Sequence, residues 1–170
     1  MTQTARLLDF GVHREHREVA VLARRYCDLI DACSGDRDAW LLEVAELLPR
    51  LHAAIASIST LGRSFERPEF VDLDVRFDLF VRLRSLLADR DSYWLEFDGF
   101  GEGAEAMTGS LADDLTDIYY ELQQGLSLFD QDPEHAIAAW SIGYDRHWGR
   151  HLIDAERHLA SLSAQFQLGS

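Results

Sequence analysis

Two groups of side chains in the second half of the chain have the types and the spacing of a chemical site. His147 and His151 stand four residues apart, with Asp154 three further on and His158 seven beyond His151. On a helix that spacing puts all four on one flank, and an imidazole pair at i, i+4 is a chelating arrangement for a divalent cation. Upstream, Asp114, Asp117 and Glu121 share one side of another amphipathic segment. Carboxylates from a facing helix complete metal sites in helical bundles. Asp113 has a structural explanation as the partner of Ser110 in a capping box, and Asp114 half of one as a first-turn acid. Asp117 and Glu121 lie beyond that turn, so they must be either solvated or face something positive.

The candidate site is therefore Asp114, Asp117, Tyr120 and Glu121 on one helix and His147, Trp148, Arg150 and His151 on the next. Two chemistries are open to it. In the first, His147, Arg150 and His151 pair with Asp117 and Glu121 in an internal network, and the chain is a non-enzymatic binding or interaction protein. In the second, Asp117, Glu121, His147 and His151 hold a divalent metal, and the chain is a metal-dependent hydrolase. Gly125 and Gly143 fall on the same polar flanks, where glycine costs roughly 1 kcal/mol against alanine. A close approach of backbone or ligand on that side would offset the cost.

Other constellations are weaker. Glu43 and Glu46, taken with Asp114 and Asp117, are spaced like paired magnesium-binding acids, but both glutamates point away from their helix's apolar stripe and read as a solvated face. The chain carries no phosphate-binding glycine loop, dinucleotide turn or nucleophile elbow. Cys27 and Cys33 are six apart in one helical segment, on different faces, and read as small buried side chains.

The elements that must position the site are helices, because apolar residues recur at three- and four-residue steps and clear strand alternation is missing. The pattern predicts helices over about 13–33, 37–61, 73–88, 110–129 and 133–167, with Gly35 as a left-handed cap after the first. Pro49 should kink the second. The third, with Phe77, Leu79, Phe80, Leu83, Leu86 and Leu87 over a wide arc, is expected to be the most enclosed. Asp132-Pro133 starts the fifth. The expected fold is an all-α bundle of about five helices whose last two form an antiparallel pair, with residues 1–12 as a tail and 13–170 as a single domain. Residues 88–110 fit no helix. Their aromatics (Tyr93, Trp94, Phe97, Phe100) and glycines suit either a plug on the bundle or a lid with Gly99, Gly101, Gly103 and Gly109 as hinges, and the plug predicts that Trp94 and one of Phe97 and Phe100 are buried.

Length and charge bound the rest. The chain has 170 residues, 30 acids against 16 bases, all of them arginine, and a formal charge of -14. That field repels phosphate backbones and anionic lipid, so nucleic acid and membrane surfaces are not expected partners. No apolar run is long enough to span a bilayer, and residues 1–17 lack a secretory pattern, which points to the cytoplasm. A protein partner, a small ligand or a second copy of the chain stays open.

Ser110 to Leu126 (SLADDLTDIYYELQQGL) and Ala138 to Leu159 (AAWSIGYDRHWGRHLIDAERHL) resemble a bacterial family of uncharacterised proteins known as domain of unknown function 5063. The residues that carry the likeness are Asp113, Asp114, Asp117, Ile118 and Tyr119, then Trp140, His147, Trp148, Gly149 and His151, with Tyr93-Trp94 ahead of them. The resemblance implies a helical fold and a shared reason for the acid and histidine patches. It implies no activity.

Overall fold

The computed structural model describes residues 3–33, 35–58, 73–95 and 107–165. Helices α1 (Gln3–Asp31), α2 (Arg37–Ala56), α3 (Leu73–Leu87) and α4 (Leu111–Phe129) are followed by α5 (Pro133–Gly143), a single π-helical turn (Tyr144–Trp148) and α6 (Gly149–Ala164). The last three run on without a break, so α5, the π turn and α6 form the antiparallel partner of α4. The architecture is an all-α bundle.

Helix α4 is its axis. It packs against α1, α3, α5 and α6, and 11 of its 19 residues are buried. It displaces α3 as the most enclosed helix. Leu79, Leu83 and Leu87 of α3 are buried, whereas Leu73, Val75, Phe77 and Val81 are exposed, Phe77 at 62%. The wide apolar arc of α3 is thus only partly used. Helix α1 starts at Gln3, well before the expected point, while α2 ends at Ala56. Pro49 lies inside α2, and Gly35 takes the left-handed conformation expected of it (φ 90°). The expected ends of the second and fifth helices at 61 and 167 lie outside the described residues.

The segment between α3 and α4 holds the departure from an all-helical reading. After a left-handed Ala88 (φ 52°), β1 (Ser92–Leu95) pairs antiparallel with β2 (Met107–Ser110), Tyr93 opposite Gly109 and Trp94 opposite Thr108. Strand alternation turns these neighbours to opposite sides. Tyr93 faces the bundle, its ring lying over Gly109 so closely that a Cβ there would come within 2.3 Å of it. Trp94 faces outward and is 70% exposed. The expectation that Trp94 is buried is therefore wrong, because the inward position belongs to its neighbour. Phe97, Phe100, Gly99, Gly101 and Gly103 lie outside the described residues.

The hairpin also seats α4. Ser110 accepts from the Asp113 amide at 3.3 Å, and the buried Asp91 accepts from the Ala112 amide at 2.8 Å and from the Ser110 hydroxyl at 2.9 Å. Two otherwise unpaired amides of the first turn are satisfied in this way.

Candidate functional site

The site lies where α4 meets the π turn and the start of α6. Three α4 carboxylates at positions 114, 117 and 121 point to this seam, and all three are buried. The imidazole of His151 sits between two of them. Its Nδ1 is 2.8 Å from Asp114 Oδ1 and its Nε2 is 3.1 Å from Asp117 Oδ2. With both ring nitrogens against carboxylates, the imidazolium is the form that donates to each. The hydrogen bond to Asp114 raises the His151 pKa above the ordinary imidazole value, with the Asp117 and Asp114 charges adding and burial opposing. Burial also raises the Asp114 carboxyl, partly offset by the hydrogen bonds it accepts from His151 and Tyr93.

Each remaining member has a second partner. The Tyr93 hydroxyl donates to the other oxygen of Asp114. The guanidinium of Arg76, on α3, pairs with Asp117 Oδ1 and reaches Asp113 at 3.8 Å. His147 places Nδ1 3.1 Å from Glu121 Oε1, and its ring meets that of His151 edge-on, centroids 5.2 Å apart. One ligand atom each from Asp117, His147 and His151 lies within 4.8 Å of the others. Beside them a cavity of about 90 Å³, lined by Glu121, Gln124, Gly125, Ile142, Gly143, Arg146 and His147 among others, opens between α4 and α5.

The π turn makes this convergence possible. Its hydrogen bond runs from the Gly149 amide to the Tyr144 carbonyl, and a Cβ on residue 149 would come within 2.5 Å of that oxygen. Glycine is required there. Tyr144 turns to α2, its hydroxyl 2.7 Å from His52 Nε2, and His52 Nδ1 is 2.9 Å from Glu156 Oε2. Three residues later His147 turns to α4.

The structure gathers Asp114, Asp117, Glu121, His147 and His151 and disperses the other candidates. Arg150 is exposed, and Arg76 takes the place expected of it. Trp148 is wholly buried, donating to the Trp140 carbonyl at 3.1 Å. Tyr120 is half-buried with its ring edge-on to Tyr119. His158, expected on the same flank, stacks on Tyr93 and donates to the Arg90 carbonyl at 2.7 Å. Asp154 lies 3.2 Å from Arg157. Glu43 and Glu46 are exposed. The two flank glycines answer to packing. A Cβ on Gly125 would strike the Trp140 indole, and one on Gly143 would sit 3.0 Å from Glu121 Oε2.

Sequence reasoning passed over Arg76 and Tyr93. Both reach the site through tertiary contacts that no local spacing announces. The tyrosine had two signals, its position beside Trp94 in a stretch that suited no helix and its place with Trp94 in the family likeness.

A model of a family described as a domain of unknown function (DUF5063) matches residues 11–165. Among solved structures, the crystal structure of protein BF1032 from Bacteroides fragilis, a structural genomics target, superposes with a TM-score of 0.70 at 22% identity. It covers 85% of this chain and 89% of its own, a likeness of fold. No curated protein matches the chain.

Proposed function

The chain belongs to this family of unknown function, the domain of unknown function 5063, and we propose that it works by binding, with the acid–imidazole cluster between α4 and the π turn as its ligand site. The observation that carries the reading is the two-sided enclosure of His151 by Asp114 and Asp117. An imidazole held on both nitrogens is not a free general base. Buried ion clusters of this kind contribute little net stability compared with apolar packing, so they are a natural place to look for a site. The net charge of -14 argues against nucleic acid as the ligand. The exposed row Leu73, Phe77 and Val81 on α3 suits a protein partner or a second copy of the chain. Among the described residues no helix is long and apolar enough to cross a membrane. The free, buried Cys27 and Cys33 fit the cytoplasm.

Metal-dependent hydrolysis is the second reading, favoured by the convergence of Asp117, His147 and His151. A test of the binding reading needs no ligand. In the triple variant Asp114→Asn, Asp117→Asn, His151→Gln the ion pairs around position 151 go, the two asparagines keep the carboxylate shapes, and Arg76 keeps Asp113 within 3.8 Å. A site kept for binding predicts a melting temperature equal to or above that of the unaltered protein. A fall of roughly 10 °C, on the order of 3 kcal/mol for a domain of this size, assigns the cluster a structural role instead.

A further inference from the structure

The geometry points to a divalent transition-metal site made by Asp117, His147 and His151, an inference that rests on the binding reading above and names its ligand. Three features of the cluster belong to a metal centre more than to a network of ion pairs. Each imidazole has a carboxylate at Nδ1, Asp114 behind His151 at 2.8 Å and Glu121 behind His147 at 3.1 Å. A carboxylate there fixes the proton on Nδ1, leaves the lone pair on Nε2 and raises its basicity, the arrangement found behind metal-bound histidines. The third ligand is backed in the same manner, since Arg76 holds Oδ1 of Asp117 and leaves Oδ2 to the site.

The spacing fits as well. His151 Nε2 and Asp117 Oδ2 are 3.1 Å apart. Two donors each bound at about 2.1 Å stand that far apart when the angle at the metal is roughly 95°. The cation takes the place of one proton, the one that Nε2 of His151 otherwise donates to Asp117. With both imidazoles neutral, the two charges of the cation and the one of Arg76 balance Asp114, Asp117 and Glu121.

The donor set selects the metal. Two imidazoles and one carboxylate suit zinc, iron(II), cobalt(II) or nickel(II), whereas magnesium and calcium take oxygen ligands. The cavity of about 90 Å³ walled by Glu121, Gly143 and His147 lies on the His147 side of the cluster, with room for water beside that ligand.

The test is cobalt(II) and zinc titration of the full chain, purified without an affinity tag. One equivalent of cobalt(II) should bind with a visible ligand-field spectrum, and zinc should raise the melting temperature progressively with its concentration. His147→Ala with His151→Ala should abolish both responses. Asp114→Asn and Glu121→Gln, which leave every ligand in place, should keep the stoichiometry and weaken binding about 10–100-fold. Binding that survives the double histidine variant, or no binding to the folded protein, overturns the site. If no cation binds and the triple variant still melts with the unaltered protein, the metal falls and the binding reading stands. If that variant melts far lower, the binding reading falls too.

Discussion

Gly125 of α4 and Trp140 of α5 are in such close contact that a Cβ on the glycine would lie 2.0 Å from the indole nitrogen. That nitrogen donates to the Leu122 carbonyl at 3.2 Å, one turn before the glycine, and the indole stacks on Phe129. Gly125→Ala gains about 1 kcal/mol of helix propensity but must push the indole off its acceptor. The net effect should be a loss of about 1–3 kcal/mol, seen as a lower urea midpoint with altered tryptophan fluorescence. An unchanged midpoint would mean that α4 and α5 can separate at no cost.

Strand alternation in the hairpin gives adjacent aromatics opposite weights. Trp94→Ala removes an exposed ring and should change stability by no more than about 0.5 kcal/mol. Tyr93→Phe strands the second oxygen of Asp114 and should cost about 1–2 kcal/mol. Urea unfolding of the two variants side by side decides it, and a larger loss for Trp94 would reverse the assignment of faces.

Arg76 is the sole described cation from α3 in contact with the cluster, and Asp117, its partner, is only 6% exposed. Arg76→Met leaves a buried carboxylate with His151 alone. About a third of the arginine side chain is exposed, so screening tempers the effect, and about 1–2 kcal/mol is expected. A double-mutant cycle with Asp117→Asn isolates the pair. A coupling within about 0.3 kcal/mol of zero would show that the contact contributes nothing.

Alkaline pH should destabilise the fold through its tyrosines and Cys27. Burial pushes Tyr26 well above the ordinary phenol value, with the charges of Cys27, Asp114 and Asp117 adding to it. Burial and the Asp114 hydrogen bond do the same to Tyr93, and burial with Asp31 to Tyr119. Burial pushes the Cys27 thiol up to about 12. In each case the folded state holds its proton more tightly than the unfolded chain. The stability this brings is complete below the unfolded values, about 8.5 for thiol and 10 for phenol, and is lost as pH rises past them. Melting temperatures should fall from about pH 9 and more steeply above 10. Tyr26→Phe should flatten the upper part of that slope, and an identical slope would take Tyr26 out of the account.

Periodicity made the helices legible because each buries one face, α1, α3, α5 and α6 against α4 and α2 against α1 and α6, and the Asp132-Pro133 start is a local signal with a local cause. The cluster was half legible. Asp114, Asp117, Glu121, His147 and His151 stand at helical spacings that survive folding, whereas Arg76 and Tyr93 arrive from elements whose placement is a tertiary outcome. Each error came from reading a face without its partner. The apolar arc of α3 is wider than the surface offered to it, the hairpin's strands are four residues each, too short for alternation to show, and Arg150 points outward where Arg76 points in.

The π turn makes the last helical segment two helices out of phase on one axis. Within it an α-helix would advance by about 100° and 1.5 Å with each residue, so the turn's extra residue is a fixed offset between everything before Tyr144 and everything after Trp148. Asp145, exposed within the turn, contributes little to the core by its side chain, and its deletion would leave four α-helical residues that carry nearly the same rotation between the two halves. Closing the wide turn to regular α geometry with all its residues kept would instead rotate α6 by about 100° relative to α5, and then either Tyr144 keeps His52 or His151 keeps Asp114, but not both. The segment is thus more tolerant of losing one exposed residue there than of losing the width of the turn.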